Sequence, residues 1–382
     1  MNIDTQLTHL GRASAKSMQS VNPPITKTST VVFPDLHSFE SSKTKTVFEN
    51  IRYGRYGTQI TFELQQAMAK IECTETCIAT ASGMSAIVAV LSSYAELGKH
   101  ILVSEGVYKS TKAFCETKLA KSGIEITFFN KNDHIENLIT PETSLVYIEV
   151  PSSTNMQLLD IKSVCKAAHG KGIVVACDAT WGTPIFFKPH LLGIDISIHS
   201  ATKYINGHSD IILGLITGTD EKMMPVRDWC YRYGSYAASD SCWLALRGLR
   251  TLSIRMKQHQ ENAMIVANWL RSQPEVTNVI YPPFFTGIDL ELWKTQFSGA
   301  AGPFKVELQP CQDHNFEQFI NSLDLFSIGA SYGGFSSVVT PTNQTKQESS
   351  INKKRIVRFH IGLENPYDLC DDIRKALQYL SI

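Results

Sequence analysis

Ile173-Val174-Val175-Ala176-Cys177-Asp178 and, a little further on, Ile194-Asp195-Ile196-Ser197-Ile198-His199-Ser200-Ala201-Thr202-Lys203 decide the fold. Each is a short apolar run rich in β-branched residues that ends in reactive side chains. Runs this short and this apolar suit strands buried on both faces, as in a parallel sheet. Further runs of the same kind are Ile101–Val103, Ile124–Phe129, Leu145–Ile148 and Ile211–Ile216. Helical spacing occurs among them. Phe62–Ile71 has Leu64, Ala67, Met68 and Ile71 on one face, and Ser85–Glu96 has Ile87, Val90, Leu91 and Tyr94, with Gly98 as its expected stop. Alternation of this kind predicts an α/β fold: a mostly parallel, doubly wound sheet with helices on both faces.

The flanks differ in character. The first fifty or so residues are polar, with Ser and Thr runs and the extended Val21-Asn22-Pro23-Pro24, and read as an arm or clamp. After Arg247-Gly248-Leu249-Arg250 come a long helical stretch at Ser253–Arg271, the turn Pro282-Pro283, a strand at Phe304–Leu308, a helix near Asn315–Leu323 and a strand at Ile356–Ile361. Asn343–Lys354 reads as an exposed loop. The expected division is an N-terminal arm at 1–55, a large α/β domain at 56–248 and a small C-terminal α+β domain at 249–382.

Composition removes several function classes. Lys and Arg total 36 and so do Asp and Glu, which leaves no net charge to attract nucleic acid or an anionic membrane surface. Apolar stretches such as Ile78–Leu91 are too short or too interrupted to span a bilayer. Met1–Gln6 lacks the layout of a secretory signal, so a cytoplasmic location is expected. The nine cysteines are scattered; Cys73 and Cys77 have no matching pair, and there is no His-Glu-x-x-His, so no metal is expected.

In an open parallel sheet, ligands sit beyond the carboxyl ends of the strands. Ala81-Ser82-Gly83-Met84 is a Gly-containing turn that opens a helix, where unsatisfied N–H groups and the helix dipole suit a phosphate. Read alone, it could equally be a turn that merely needs glycine. Asp178, at the end of a buried strand, reads alone as a helix cap or as a fixed anion for a cationic ligand atom. Ser200-Ala201-Thr202-Lys203 puts a lysine between hydroxyls and a strand end. Such an amine can form an imine with an aldehyde cofactor once burial or a neighbouring cation makes it partly neutral. Together the three are the parts needed for pyridoxal 5′-phosphate.

Longer motifs carry a resemblance. They are Tyr53-Gly54-Arg55-Tyr56-Gly57-Thr58; Phe62-Glu63-Leu64-Gln65-Gln66-Ala67-Met68; His199-Ser200-Ala201-Thr202-Lys203-Tyr204 with Gly207-His208-Ser209-Asp210; Leu246-Arg247-Gly248-Leu249-Arg250-Thr251-Leu252; and Arg358-Phe359-His360-Ile361-Gly362-Leu363-Glu364. From about residue 45 to its end the chain resembles the Cys/Met-metabolism family of pyridoxal-phosphate enzymes, and within it the cystathionine β-lyase branch. The resemblance implies fold type I. It implies that Lys203 bears the cofactor and acts as base, Asp178 pairs with the pyridine nitrogen, and Tyr108 stacks on the ring and belongs to the catalytic set. It further implies that Gly83 and Met84 N–H groups with the Ser200 and Thr202 hydroxyls bind the phosphate, joined by Tyr53 and Arg55 from a neighbouring subunit of a homotetramer. Arg358, with Ser331 and Tyr332, would hold the substrate carboxylate. The implied reaction is α,β-elimination of cystathionine to homocysteine, pyruvate and ammonia, in methionine biosynthesis. The γ-synthases and γ-lyases, and lyases or desulfhydrases of cysteine and its conjugates, are the alternatives; a non-catalytic cofactor-binding protein would have no use for a carboxylate clamp. One loop departs from the branch: Ala330, Tyr332 and Ser336 stand where its best-known bacterial members have tyrosine, tryptophan and glutamate.

Overall fold

The apolar runs form a seven-stranded sheet. Its strands are β1 (Thr76–Thr80), β2 (His100–Ser104), β3 (Glu125–Phe129), β4 (Thr143–Glu149), β5 (Val174–Asp178), β6 (Ile196–Ser200) and β7 (Gly214–Gly218), in the order β1-β7-β6-β5-β4-β2-β3. The five from β6 to β3 are parallel, and β7 runs antiparallel to both of its neighbours. A computed structural model describes residues 1–43, 50–342 and 353–380. It contains two compact units, Met1–Asn206 with Asp210–Leu252, and Gly207–Ser209 with Ser253–Ile382. The mostly parallel α/β sheet is the architecture the sequence predicts.

The core of the first unit explains why the strands are so apolar. Ile101, Val103, Leu145, Tyr147, Ala176, Ile196, Ile198 and Ile216 pack in one cluster with Ala86, Val90 and Leu91 of the helix Gly83–Ser93. Each large aliphatic side chain buried this way contributes about 1.5–3 kcal/mol. Side chains alternate between faces along a strand. Glu149 and Asp178 therefore share the face of Tyr147 and Ala176, and Ser200 shares that of Ile198, all on the side of this helix.

Two readings need correction, and the arm holds more structure than its polar composition suggests. The helix expected at Ser85–Glu96 spans Gly83–Ser93, because extended Ser82 caps it by accepting the Ser85 N–H at 2.9 Å; Gly98 lies beyond, in a left-handed turn at φ +80°. The run Ile211–Ile216 yields a strand only from Gly214, and an antiparallel one. Residues 201–206 form turns in place of a crossover helix, and a Cβ on Gly214 would lie 2.2 Å from the Ser82 carbonyl oxygen. In the polar arm, Ile3–His9 and Ala13–Ser17 are helical, and Leu7 and Ala15 are buried. Arg250 donates to the carbonyls of Leu7, Leu10 and Gly11, Glu63 accepts the Ser14 N–H at 2.7 Å, and Trp243 donates to Pro23 at 3.0 Å.

On the opposite face of the sheet lies a buried ionic cluster. Glu72, which closes the helix Gln59–Ile71, meets His199 at 3.1 Å and the Ser197 hydroxyl at 3.0 Å. Burial pushes the Glu72 carboxyl up, but His199, His190 and Lys188 more than offset it, so it sits below the usual carboxylate range. A depressed native value stabilises the fold above the unfolded value and is lost as pH falls through the native one. Glu72→Ala would leave its buried partners uncompensated and should cost about 3–5 kcal/mol, read as a lower denaturant midpoint. The parent, unlike the variant, should lose stability through this group on acidification.

The second unit is a five-stranded sheet of β8 (Val276–Ile280), β9 (Pro303–Cys311), β10 (Ser327–Ile328), β11 (Val338–Thr342) and β12 (Lys353–His360), in the order β10-β11-β12-β9-β8. Only β10 and β11 pair in parallel. The helices Leu252–Leu270, Asp313–Asn321 and Pro366–Leu377 accompany it, and buried Asp372 accepts the N–H groups of Asp324 and Leu325 at 3.0 and 2.9 Å. Of the loop read at Asn343–Lys354, residues 343–352 lie outside the described ones, and 353–354 begin β12.

Candidate active site

Parallel strands β4, β5 and β6 end side by side in Glu149, Asp178 and Ser200, and the register sets Glu149 directly beside Asp178. Asp178 is buried, and its Oδ1 accepts the Thr180 N–H at 3.0 Å; this is a local turn and not a helix cap, since Gly182 precedes the next helix, Thr183–Phe186. Thr180 Oγ1 in turn accepts the Ser200 N–H at 2.8 Å and so joins the end of β5 to that of β6. Burial raises the Asp178 carboxyl above the usual carboxylate range; Thr180, then the charges of His199 and Lys203, pull it partly back. A buried carboxylate anchored by the backbone and side chain of Thr180 is suited to a cationic partner.

The turn expected to bind phosphate is built by close approach. A Cβ on Gly83 would lie 2.7 Å from both Cβ and Oγ of Ser200, so glycine lets the helix start close against the end of β6. As the first two residues of that helix, Gly83 and Met84 have N–H groups with no intrahelical acceptor. Those N–H groups, beside the Ser200 hydroxyl at a helix N-terminus, make a site for a dianion. Gly83→Ala should force this contact apart and weaken pyridoxal-phosphate affinity about tenfold or more while lowering stability by only ~1–3 kcal/mol. Absorbance titration and chemical denaturation would read the two effects separately.

Lys203 is half-buried in the turn 201–206, and its N–H donates to the Ser200 carbonyl at 3.0 Å. Thr202 is tied to Leu213, whose N–H donates to the Thr202 hydroxyl at 3.0 Å. Tyr108 presents a ring that is 47% exposed, while its N–H donates to Glu149 Oε2 at 2.7 Å. Arg55 donates to the Tyr231 carbonyl at 2.9 Å and lies over the Tyr56 ring, and Tyr53 is largely exposed. The first unit thus gathers Gly83, Ser200, Asp178 and Tyr108 through direct or single-residue links, and the charge of Lys203 is felt at Asp178. The recorded contacts of Arg55 are with Tyr56 and Tyr231.

In the second unit Arg358, Ser331 and Tyr332 come together. Arg358 Nη2 donates to the Ser331 carbonyl at 3.0 Å and to the Thr340 hydroxyl at 2.9 Å, and its guanidinium lies 5.9 Å from the Tyr332 ring centroid. Ser331 has φ +99°, an unusual value for a residue with a side chain. The departing loop position Ala330 is exposed. His199 and His360 have structural partners: Glu72 for the first, and the Gly333 N–H, 3.0 Å from Nε2, for the second.

Sequence reading missed Glu149 and Thr180. Glu149 carried the same signal as Asp178, an acid directly after the apolar run Leu145–Ile148. Burial, with Asp178 beside it, pushes the Glu149 carboxyl up to about 8.

A helix-opening turn after β1, a buried acid at the end of β5 and a lysine in the turn after β6 fit a pyridoxal-phosphate enzyme of fold type I. The sequence model of the Cys/Met metabolism PLP-dependent enzymes matches residues 4–378. The chain belongs to that family, and pyridoxal 5′-phosphate is its cofactor. It is 33% identical to an L-alanine/L-glutamate racemase of Wolbachia pipientis wMel, over 100% of this chain and 98% of that protein. It is 33% identical to a cystathionine β-lyase of Haemophilus influenzae, over 100% of this chain and 99% of the other. Among solved structures, MetB from Corynebacterium glutamicum superposes with a TM-score of 0.90 at 27% identity, covering 100% of this chain and 98% of that one. Among the described residues, no helix is long and apolar enough to cross a membrane.

Proposed function

We propose that the chain is a carbon–sulfur lyase that cleaves L-cystathionine by α,β-elimination to homocysteine, pyruvate and ammonia, as a step of methionine biosynthesis. The observation that carries this reading is the full-length likeness to the H. influenzae cystathionine β-lyase. Bound pyridoxal phosphate supplies an electron sink for the charge that develops at the substrate Cα. The residues of this chain do the rest. Gly83, Met84, Ser200 and Thr202 hold the phosphate, Asp178 supplies the fixed anion at the pyridine nitrogen, and Tyr108 covers the ring. Lys203 would hold the cofactor and is placed to take the Cα proton as a positioned base. As the Cα–H and Cβ–S bonds break, the Cα–Cβ double bond forms and the sulfur leaves as a thiolate that takes up a proton. One water hydrolyses the remaining enamine to pyruvate and ammonia. Arg358, held by Ser331 and Thr340 beside Tyr332, grips the substrate carboxylate; a planar two-pronged donor suits that task better than an ammonium.

The same reading puts the enzyme in the cytoplasm as a homotetramer. Tyr53 and Arg55 then reach the phosphate of a neighbouring copy, the segment 1–55 acts as a clamp, 56–248 binds the cofactor and 249–382 serves the substrate.

A second reading, amino-acid racemisation, is favoured by the equally extensive likeness to the Wolbachia racemase and by the small residues Ala330 and Ser336 in the loop beside Ser331. Both reactions begin with the same proton removal, but racemisation returns the proton to the other face and breaks no Cβ bond. Incubation with L-cystathionine, L-alanine and L-glutamate in deuterium oxide separates them. Elimination gives a keto acid from cystathionine with no D-alanine or D-glutamate. Deuterated D-alanine or D-glutamate as the dominant product, with cystathionine intact, would replace the lyase reading.

A further inference from the structure

Glu149 has no part in the roles assigned above, yet it is a buried acid at the centre of the site. It ends β4 directly beside Asp178 on β5, on the same face of the sheet. Its two oxygens have different partners. Oε2 accepts the Tyr108 N–H at 2.7 Å, Oε1 is hydrogen-bonded to the Ser153 hydroxyl, and the Ser153 N–H also donates to the carboxyl. Its own N–H donates to the Ser104 hydroxyl at 3.2 Å, which ties the end of β4 to the end of β2. The residue thus reaches from the pyridine-nitrogen acid to the backbone of the ring-covering tyrosine.

We propose that Glu149 is a positioning residue: it fixes Tyr108 through the backbone N–H and carries a proton on Oε1, which leaves Asp178 as the one anion at the pyridine end. Two carboxylates in register on adjacent strands in a buried site do not both ionise readily. The different partners of the two oxygens say which of them holds the proton. An acceptor is needed at Oε2, whereas at Oε1 a carboxyl O–H can donate to the Ser153 hydroxyl. The ionisable neighbours are Asp178 and Cys177 from β5, Tyr147 from its own strand and, acting through Asp178, Lys203 and His199. Burial first, and Asp178 second, push the carboxyl up, in keeping with a proton retained at neutral pH. The inference rests on the proposed roles of Asp178 and Tyr108.

The test uses full-length parent, Glu149→Gln and Glu149→Ala, with Asp178→Asn as control. Glutamine keeps an acceptor for Tyr108 and a donor for Ser153, so at pH 7 it should bind added pyridoxal 5′-phosphate within about twofold of the parent, whereas alanine should bind at least about tenfold more weakly. The second readout is stability of the cofactor-free protein against pH. A carboxyl raised in the native state leaves stability intact below its unfolded value and removes it as pH rises through the native one, about 8. The parent should therefore lose stability between about pH 5 and pH 8 relative to Glu149→Gln, which lacks this titration. Parent-like cofactor affinity in Glu149→Ala, equal weakening in Glu149→Gln and Glu149→Ala, or an unchanged pH slope in Glu149→Gln would each overturn the inference. If Asp178→Asn also binds cofactor like the parent, the fault lies in the proposed site; if Asp178→Asn weakens binding and Glu149→Ala does not, only the role of Glu149 falls.

Discussion

Lys203→Ala should abolish elimination, with kcat reduced about 10³-fold or more, because one side chain is assigned both the covalent hold on the cofactor and the removal of the Cα proton. The loss should be chemical and not structural. The turn is held by backbone bonds, Lys203 N–H to Ser200 and Asn206 N–H to Ala201, which alanine retains. The purified variant should therefore fold and still bind pyridoxal phosphate reversibly, without the absorbance of a lysine-linked cofactor. Turnover at the parent rate would show that another group is the base, and the assignment at this strand end would fail.

Asp178→Asn should be nearly as damaging, with kcat reduced about 10²-fold or more, by loss of a fixed charge aimed at the electron-accepting ring. The amide oxygen can still accept the Thr180 N–H, so the turn survives. Since burial disfavours the Asp178 anion, an uncharged isostere should not lower stability and can raise it. Reduced turnover together with undiminished stability is the pattern expected of a residue whose charge is kept for chemistry. If instead Asp178→Asn unfolded readily and kept its rate per folded molecule, Asp178 would be a structural residue.

The parts of the fold that sequence made legible are those where one physical signal dominates. The run ending in Asp178 is apolar on both faces because both faces are covered, and no surface strand would need that composition; the run ending in Ser200 is apolar on one face and turns Ser197 and His199 to Glu72 on the other. What escaped was fixed by contacts distant in sequence. The direction and start of β7 depend on the approach of Gly214 to Ser82, and the burial of Leu7 depends on Arg250, far along the chain. The helix Asp220–Arg232 buries Met223, Val226 and Cys230 at helical spacing, but Pro225 in its middle masks that pattern as a helix signal. β1, only five residues long and opening and closing in threonine, gave no signal either.

The site divides in the same way. Gly83, Asp178 and Lys203 stand at strand ends or helix starts, where chain order alone implies exposure to a ligand. Ser331 and Arg358 have no such local signal. Their link is the backbone carbonyl of a residue in a left-handed conformation, which only the fold reveals. Glu149 was legible in principle but is one acid among many, and its meaning comes from the register with Asp178.

The most direct test of the account is to incubate the purified protein, loaded with pyridoxal phosphate, with L-cystathionine and to identify the keto acid and thiol released. The account predicts pyruvate and homocysteine in equal amounts, with ammonia. 2-Oxobutyrate with cysteine would contradict it, because the bond broken would then be Cγ–S.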